Sequence, residues 1–400
     1  MVGSSRRRTL RRRRANGGVT RRSTQPAPGM DIVDRLPPEL LTEIHSHLGD
    51  ADFLKRLAFA SVCGASGHMF KQEAPCLVLA GADGADHEEA KARVFSLAAR
   101  RAAAVRAPDP AMRGHVVVGS SGGWLVTADA MGTLRMVNPV TGAQADLPAI
   151  TTGSIPFLAG GGNWRFCLDV DAFRRIRSGG AYAAMLILAR TFGSPAFATS
   201  SDPAWRLAAP SRDGVEDAIH HRGQFYSISR SGAVEAWARD GDTGEFTSTT
   251  LAAGVEEDGG DGKLLRRYLA VAPDGRLMAV AKHSKEVRTR VFFTVMVLDE
   301  ARRRWEEAAG IGSSALFVGV NASVCVPVAL EYRGIRPNCI YFTDHQVVEA
   351  YLCNEHYREE NNELREVGVY SLKHRKVDEI VGLGKHQRWP PPAWFTPSFL

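Results

Sequence analysis

Gly119-Ser120-Ser121-Gly122-Gly123 has the G-x-S-x-G spacing that puts a nucleophilic serine on a tight strand-to-helix turn. There the backbone amides and the helix N-terminus would stabilise an oxyanion. A strand-like run precedes it, but Trp124-Leu-Val-Thr-Ala continues as strand rather than helix, so the segment is expected to be a Gly-rich hairpin. Gly160-Gly161-Gly162-Asn163 lacks the Lys-Ser/Thr ending of a phosphate loop. The acidic run from Glu256 to Gly262 lacks the alternating ligand spacing of a calcium loop. His220-His221 has no partner at metal-binding spacing and is expected to face solvent at a strand start. Glu355 to Asn362 reads as a polar loop between strands. The six cysteines, Cys63, Cys76, Cys167, Cys325, Cys339 and Cys353, form no C-x-x-C pair and are read as reduced thiols. No catalytic residue, cofactor site or metal site is expected.

The elements that could position any site begin with charge. The chain has 400 residues, with 24% charged and 44% apolar, the composition of a globular protein of two or three domains. Its net charge of +6 is concentrated at the front. Residues 1–30 hold nine arginines and no acid, and without them 41 basic side chains face 44 acidic ones, a net −3. The folded part is therefore not read as a nucleic-acid binder, which needs clustered positive charge. Residues 1–30, rich in Arg, Ser, Gly and Pro, are expected to be a disordered tail. It reads first as a solvated tail with no dedicated partner, and secondly as a nuclear-import or polyanion-binding tract or an organelle transit peptide. No apolar run is long enough to span a bilayer and no h-region opens the chain, so neither a membrane nor a secreted location is expected.

Residues 31–75 read as a small helical module. Pro37 and Pro38 suit a first helical turn, Glu39 its positive end, and Gly49 its stop. Leu36, Leu40, Leu41, Ile44 and Leu48 recur at helical spacing along one apolar stripe. Asp50 or Asp52 would cap a second helix carrying Phe53, Leu54, Leu57 and Ala60, and a third, less regular piece runs through Val62, Cys63, Met69 and Phe70. A unit of about 40 residues buries too little of its own surface to stand alone without metal or disulfide. Its stripe therefore docks either on a partner or on the rest of this chain.

Residues 76–400 break into short apolar runs between Gly, Pro, Asn and Asp. The phrase Gly123-Trp-Leu-Val-Thr followed by Thr133-Leu-Arg-Met-Val-Asn138 recurs at Gly223-Gln-Phe-Tyr-Ser-Ile and again at Gly275-Arg-Leu-Met-Ala-Val. A period near ~50 residues suits kelch-like propeller blades, with Tyr182 to Leu188 in the blade between the first two. A β-sandwich accounts for the same alternation. His87 to Val105 has strong helix propensity, but the strand reading of Val94-Phe-Ser-Leu is preferred. The fold class is mostly β with a small N-terminal α module.

Leu36-Pro37-Pro38-Glu39-Leu40-Leu41, with Ile44, Leu48, Asp52, Leu57, Val62 and Cys63, resembles the F-box. The resemblance departs at Ser66, where the family usually has Trp, and at Gly64 and Gly67. Gly119-Ser-Ser-Gly-Gly-Trp124-Leu125, Asn138-Pro139-Val-Thr-Gly142, Leu316 to Ser323, Gly334 to Asp344, Gly368-Val-Tyr370 and Trp389 to Pro397 resemble the plant F-box family with a propeller-like domain of unknown function 295. Together the resemblance implies a three-helix F-box followed by a kelch-like β-propeller. It implies a substrate-recruiting subunit of a ubiquitin ligase in the nucleus or cytoplasm, with a Skp-type adaptor and, through it, a cullin scaffold as partners. The target protein is unspecified. Leu36, Pro37, Leu40, Leu41, Ile44, Leu48, Leu57 and Val62 would be its apolar contacts with the adaptor.

Overall fold

The computed structural model describes residues 36–48, 55, 59, 74–79, 91–106, 115–129, 132–139, 142–149, 165–168, 182–187, 194–208, 214–254, 262–285, 290–319, 321, 323–328, 332, 334–343, 367–384, 386 and 391–397. Helix α1 spans Pro38–Leu48, and Lys55 and Phe59 are also helical. The rest of the expected second and third helices lies outside the described residues. So do the Gly160 turn, the acidic residues 256–261 and the Glu355 loop.

Strands β1 (Cys76–Leu79), β2 (Lys91–Ser96) and β3 (Arg101–Arg106) follow α1. Blade 1 is β4 (Val116–Ser121), β5 (Trp124–Ala128), β6 (Leu134–Val137) and β7 (Gln144–Asp146). Blade 2 is β8 (Arg165–Leu168), β9 (Ala183–Ile187), β10 (Ala196–Thr199) and β11 (Arg206–Leu207). Blade 3 is β12 (Asp217–His221), β13 (Gln224–Ile228), β14 (Val234–Arg239) and β15 (Phe246–Ala252). Blade 4 is β16 (Lys263–Val271), β17 (Leu277–Lys285), β18 (Arg290–Asp299) and β19 (Arg304–Glu307). Blade 5 holds β20 (Ser314–Val318), β21 (Val324–Pro327), β22 (Cys339–Phe342), β23 (Gly368–Ser371) and β24 (Lys376–Asp378). Its order is β21-β20-β22-β23-β24, with β20 and β22 running parallel. Blade 6 joins the two halves of the sequence, because β25 (Ala393–Phe395) pairs antiparallel with β1 in the order β25-β1-β2-β3.

These six sheets form a propeller. The innermost strands touch in turn: β4 meets β8, β8 meets β12, β12 meets β16, β16 meets β21, and β25 returns to β4. Radial closure leaves the blades only short outer edges.

Strand pleating explains the packing. Ala184 and Leu186 of β9 face blade 1, while Met185 and Ile187 of the same strand face blade 3. In β20, Ala315 and Phe317 join Leu77, Tyr341 and Trp394 toward blade 6, and Leu316 and Val318 join Phe293 and Phe342 toward blade 4. A strand buried on both faces reads as a continuous apolar run.

The repeat read from the sequence is real in its placement. Gly123 (φ 89°) and Gly223 (φ 79°) occupy the same position in the first hairpins of blades 1 and 3, and Gly275 (φ 87°) lies in that of blade 4. Val94 and Phe95 are in a strand, as preferred over the helix. A second repeat was not recognised from the sequence. It joins the last two strands of five blades by the same five-residue turn. The turns are Asn138 to Gly142, Asp240 to Gly244, Asp299 to Arg303, Ser371 to Arg375 and Ser96 to Arg100. In each, the last residue is left-handed, with φ of 69°, 71°, 56°, 50° and 53°. The first residue often caps the turn: Asp299 Oδ1 accepts from Arg302 N at 3.0 Å, Ser371 Oγ from His374 N at 3.3 Å, and Ser96 Oγ from Ala99 N at 3.2 Å. The signature is hard to see because arginine replaces glycine in three of the five turns.

Candidate interaction surfaces

The first candidate surface is α1. Its opening turn forms as the prolines dictate: Leu41 N donates to the Pro37 carbonyl at 3.1 Å, and Thr42 Oγ1 to the Pro38 carbonyl at 2.8 Å. Glu43 and His47 lie 3.9 Å apart on the exposed side. The apolar stripe splits. Leu40 is 45% exposed, Pro37 is exposed, and Leu36, Ile44 and Leu48 are half-buried. Leu41 is 2% exposed, so it is already covered within this chain. It belongs to none of the clusters between blades described above. Leu57 and Val62 lie outside the described residues.

The second candidate is the polar centre of the ring, which sequence reading missed. Glu216 and Asp217 are consecutive, each 3% exposed, at the start of β12. Their carboxylates reach the neighbouring inner strand: Glu216 Oε2 accepts from Arg267 N at 2.8 Å and Asp217 Oδ2 from Leu269 N at 2.9 Å. An innermost strand has one edge with no neighbouring strand, and here side chains from the next blade satisfy it. Charge is balanced nearby. Arg230 Nη1 lies 3.4 Å from Glu216 Oε1, Arg266 Nη2 donates to the Glu216 carbonyl at 2.5 Å, and Arg267 Nε donates to the Arg230 carbonyl at 2.7 Å. Ser323 Oγ donates to Asp217 Oδ2 at 3.2 Å, which ties blade 5 to blade 3. Glu216 is thus held by an ion pair as well as hydrogen bonds, and Asp217 by hydrogen bonds from two buried donors, which offsets the cost of burying them. The sequence signal was the adjacent pairs Glu216-Asp217 and Arg266-Arg267 inside apolar strands.

The third candidate is the face carrying the first and third hairpins, which share one side of an antiparallel four-stranded blade. Arg100, Arg101, Lys373, Arg375 and Lys376 are exposed there on blades 5 and 6, and Arg336 pairs with Asp378 at 2.8 Å. That guanidinium holds the Asp378 carboxyl below its usual range. Between blades 2 and 3 a cleft of about 370 Å³ is lined by Arg206, Arg239 and Asp240 to Gly244.

Chemistry-bearing residues fall as follows. Ser121 pairs with Trp124 across Gly122 and Gly123, and the chain continues as β5, so the segment is the expected hairpin. His220 and His221 correct the solvent-facing expectation: they close β12 at its end and are half-buried. His220 packs edge-on against Phe225 of its own blade, and a ring nitrogen of His221 lies 3.0 Å from the Gly275 carbonyl of blade 4, so packing uses both rings. Cys76, Cys325 and Cys339 are in no disulfide, and burial pushes Cys325 up to about 11 and raises Cys339. Among the described residues no cluster of His, Cys, Asp or Glu is grouped to hold a metal, and no helix is long and apolar enough to cross a membrane.

A family model described as KIB1-4 beta-propeller matches residues 94–371. No curated protein matches the chain. Among solved structures, a protein from Lactobacillus plantarum is 12% identical with a TM-score of 0.33, over 60% of this chain and 66% of that one, just under two thirds of its length. BBS1N, solved in complex with ARL6DN, is 11% identical with a TM-score of 0.33, over 68% of this chain and 71% of that one. The N-terminal domain of Nup159 is 6% identical with a TM-score of 0.31, over 55% and 58%. At such scores these likenesses carry no weight for function. The family match runs from β2 of blade 6 through blades 1 to 4 and into blade 5 as far as β23, and by it the chain belongs to the KIB1-4 beta-propeller family.

Proposed function

We propose that this chain is the target-recognition subunit of a Skp–cullin–F-box ubiquitin ligase of the plant type, in the nucleus or cytoplasm. α1 and its neighbours bind the Skp-type adaptor, and the propeller holds the protein to be ubiquitinated. The chain contributes no catalytic group; its effect is proximity between target lysine and loaded ubiquitin. The observation carrying this reading is α1 itself. It starts at Pro38, directly after Leu36-Pro37 and ahead of a closed propeller, and Leu40 is 45% exposed with Ile44 and Leu48 half-buried beside it. At roughly 2 kcal/mol per fully buried Leu or Ile, such side chains supply several kcal/mol before association costs. Leu41 supports a second reading, a propeller binding protein with a degenerate F-box and no ligase role, because its side chain is already covered at home.

Co-purification separates the two. Tagged full-length chain is expected to retain a Skp-type adaptor and cullin, and Leu40→Asp with Ile44→Asp to lose both while the β-sheet spectrum is unchanged. Equal recovery with the double variant would overturn the interface.

A further inference from the structure

Each blade ends in an outer strand whose free edge is a template for pairing, and proteins usually blunt such edges with charge, proline or shortness. Five of the six blades here do so. β7, β11 and β24 have three, two and three residues. β19 is Arg-Trp-Glu-Glu, and β3 begins and ends with arginine. β15 is the exception: Phe246-Thr-Ser-Thr-Thr-Leu-Ala252 is seven residues long without charge, proline or glycine, and Thr247 to Thr250 are exposed.

The direction of its backbone groups follows from two observations. Asp240 N donates to the Glu245 carbonyl at 2.8 Å, and antiparallel ladders alternate, so Phe246, Ser248 and Thr250 turn their N–H and C=O groups away from β14. Arg303 of blade 4 agrees, since its guanidinium donates to the Thr250 carbonyl from outside and to that of Leu251 at 2.8 Å.

Charge then selects the occupant. At the start of β15 lie the exposed carboxylates of Asp240, Asp242 and Glu245, and among the described residues Asp242 and Glu245 are in no ion pair. Arg239 beside them donates to the Gly244 carbonyl at 3.3 Å. At the far end Arg303 is exposed and bonds carbonyls, not a carboxylate. The edge is thus acidic at one end, basic at the other and neutral between. Antiparallel pairing with itself puts Glu245 of each copy beside Arg303 of the other. Parallel pairing would set acid on acid. We infer that β15 is a self-complementary edge at which two copies of this chain pair antiparallel about a two-fold axis.

Sedimentation velocity on the full chain from about 1 to 100 µM tests this, since an edge contact of this size belongs to the weak class. A dimer that dissociates on dilution is expected. Ser248→Pro removes an outward N–H that β14 does not use, and is expected to weaken dimerisation at least about tenfold. Glu245→Lys weakens it similarly, and Glu245→Lys with Arg303→Glu restores it. A wild-type monomer at about 100 µM, growth beyond a dimer, or a Ser248→Pro dimer as tight as wild type overturns the inference. If Ser248→Pro loses its β spectrum, hydrogen exchange on the wild type decides. Amides of Phe246 and Ser248 must gain protection with concentration, and unchanged exchange overturns the pairing. The adaptor reading is independent of either outcome.

Discussion

Asn321 holds Trp394 by both ends of its amide. Its Oδ1 accepts from Trp394 N at 3.1 Å, and its Nδ2 donates to the Trp394 carbonyl and to Ser120 Oγ, the latter at 2.6 Å. The indole Nε1 of Trp394 donates to the Val318 carbonyl at 3.1 Å. Trp394 lies on β25, the strand that completes blade 6 and closes the ring, so one asparagine joins blades 1, 5 and 6. Asn321→Leu leaves the backbone groups of Trp394 and the Ser120 hydroxyl short of partners inside the protein. It is expected to cost about 2–4 kcal/mol, read as a lower unfolding midpoint in urea. Trp394→Ala adds a cavity and is expected to cost about 3–5 kcal/mol.

The carboxylates of β12 serve β16 in the same way. Asp217→Ala removes the acceptor for Leu269 N and Ser323 Oγ and leaves both buried donors short of a partner. A loss of about 2–4 kcal/mol is expected from the same urea measurement, with Asp217→Asn costing less because its carbonyl still accepts.

The left-handed arginines give a signed test. Arg375 has φ 50° and is exposed, and among the described residues its guanidinium makes no ion pair or hydrogen bond, so Arg375→Gly relieves strain and is expected to be neutral or to raise the thermal midpoint. Gly142→Val and Gly244→Val place a β-branched side chain at φ 69° and 71° and are each expected to cost about 1–2 kcal/mol.

Much of this was legible in the sequence, and the exceptions have physical causes. The strand-turn phrases around Gly123, Gly223 and Gly275 showed because glycine marks positive φ wherever it occurs. The outer turns did not, because Arg100, Arg303 and Arg375 fill the left-handed position that a reader assigns to Gly or Asn. Blade 2 was found only through Tyr182 to Leu188, since both faces of β9 are buried and its alternation disappears. The central ion network left only the adjacent pairs Glu216-Asp217 and Arg266-Arg267 as a trace, because Glu216 and Asp217 satisfy backbone groups about 50 residues away and local spacing does not link them. The helix start at Pro38 was plain, but which side of its stripe meets solvent depends on Leu41 being covered by the chain itself.

Cys325 is a chemical probe of the packed state. With its thiol pushed up to about 11 by burial, little thiolate exists at pH 8. Alkylation by iodoacetamide is expected to run on the order of a hundredfold slower than for an unfolded cysteine, as followed by peptide mass spectrometry. Equal rates would show that blade 5 opens readily.

His115 gives a pH test. Burial, outweighing the opposing charge of Asp129, lowers its pKa below the ordinary 6.5. In the unfolded chain it takes a proton as pH falls through 6.5, while the folded chain resists. Its contribution is therefore complete above 6.5 and is lost as pH drops toward the lowered value. Thermal midpoints at pH 7.5 and 5 are expected to differ less in His115→Gln than in wild type; equal differences would mean that His115 is not shielded.

The exposed flank of α1 is the decisive feature. Biolayer interferometry of purified full-length chain against an immobilised Skp-type adaptor measures it without other subunits. Saturable binding is expected for wild type, with a loss of at least about a hundredfold for Leu40→Asp, Ile44→Asp. No binding by wild type, or equal binding by the double variant, would contradict an adaptor-docking role for this helix.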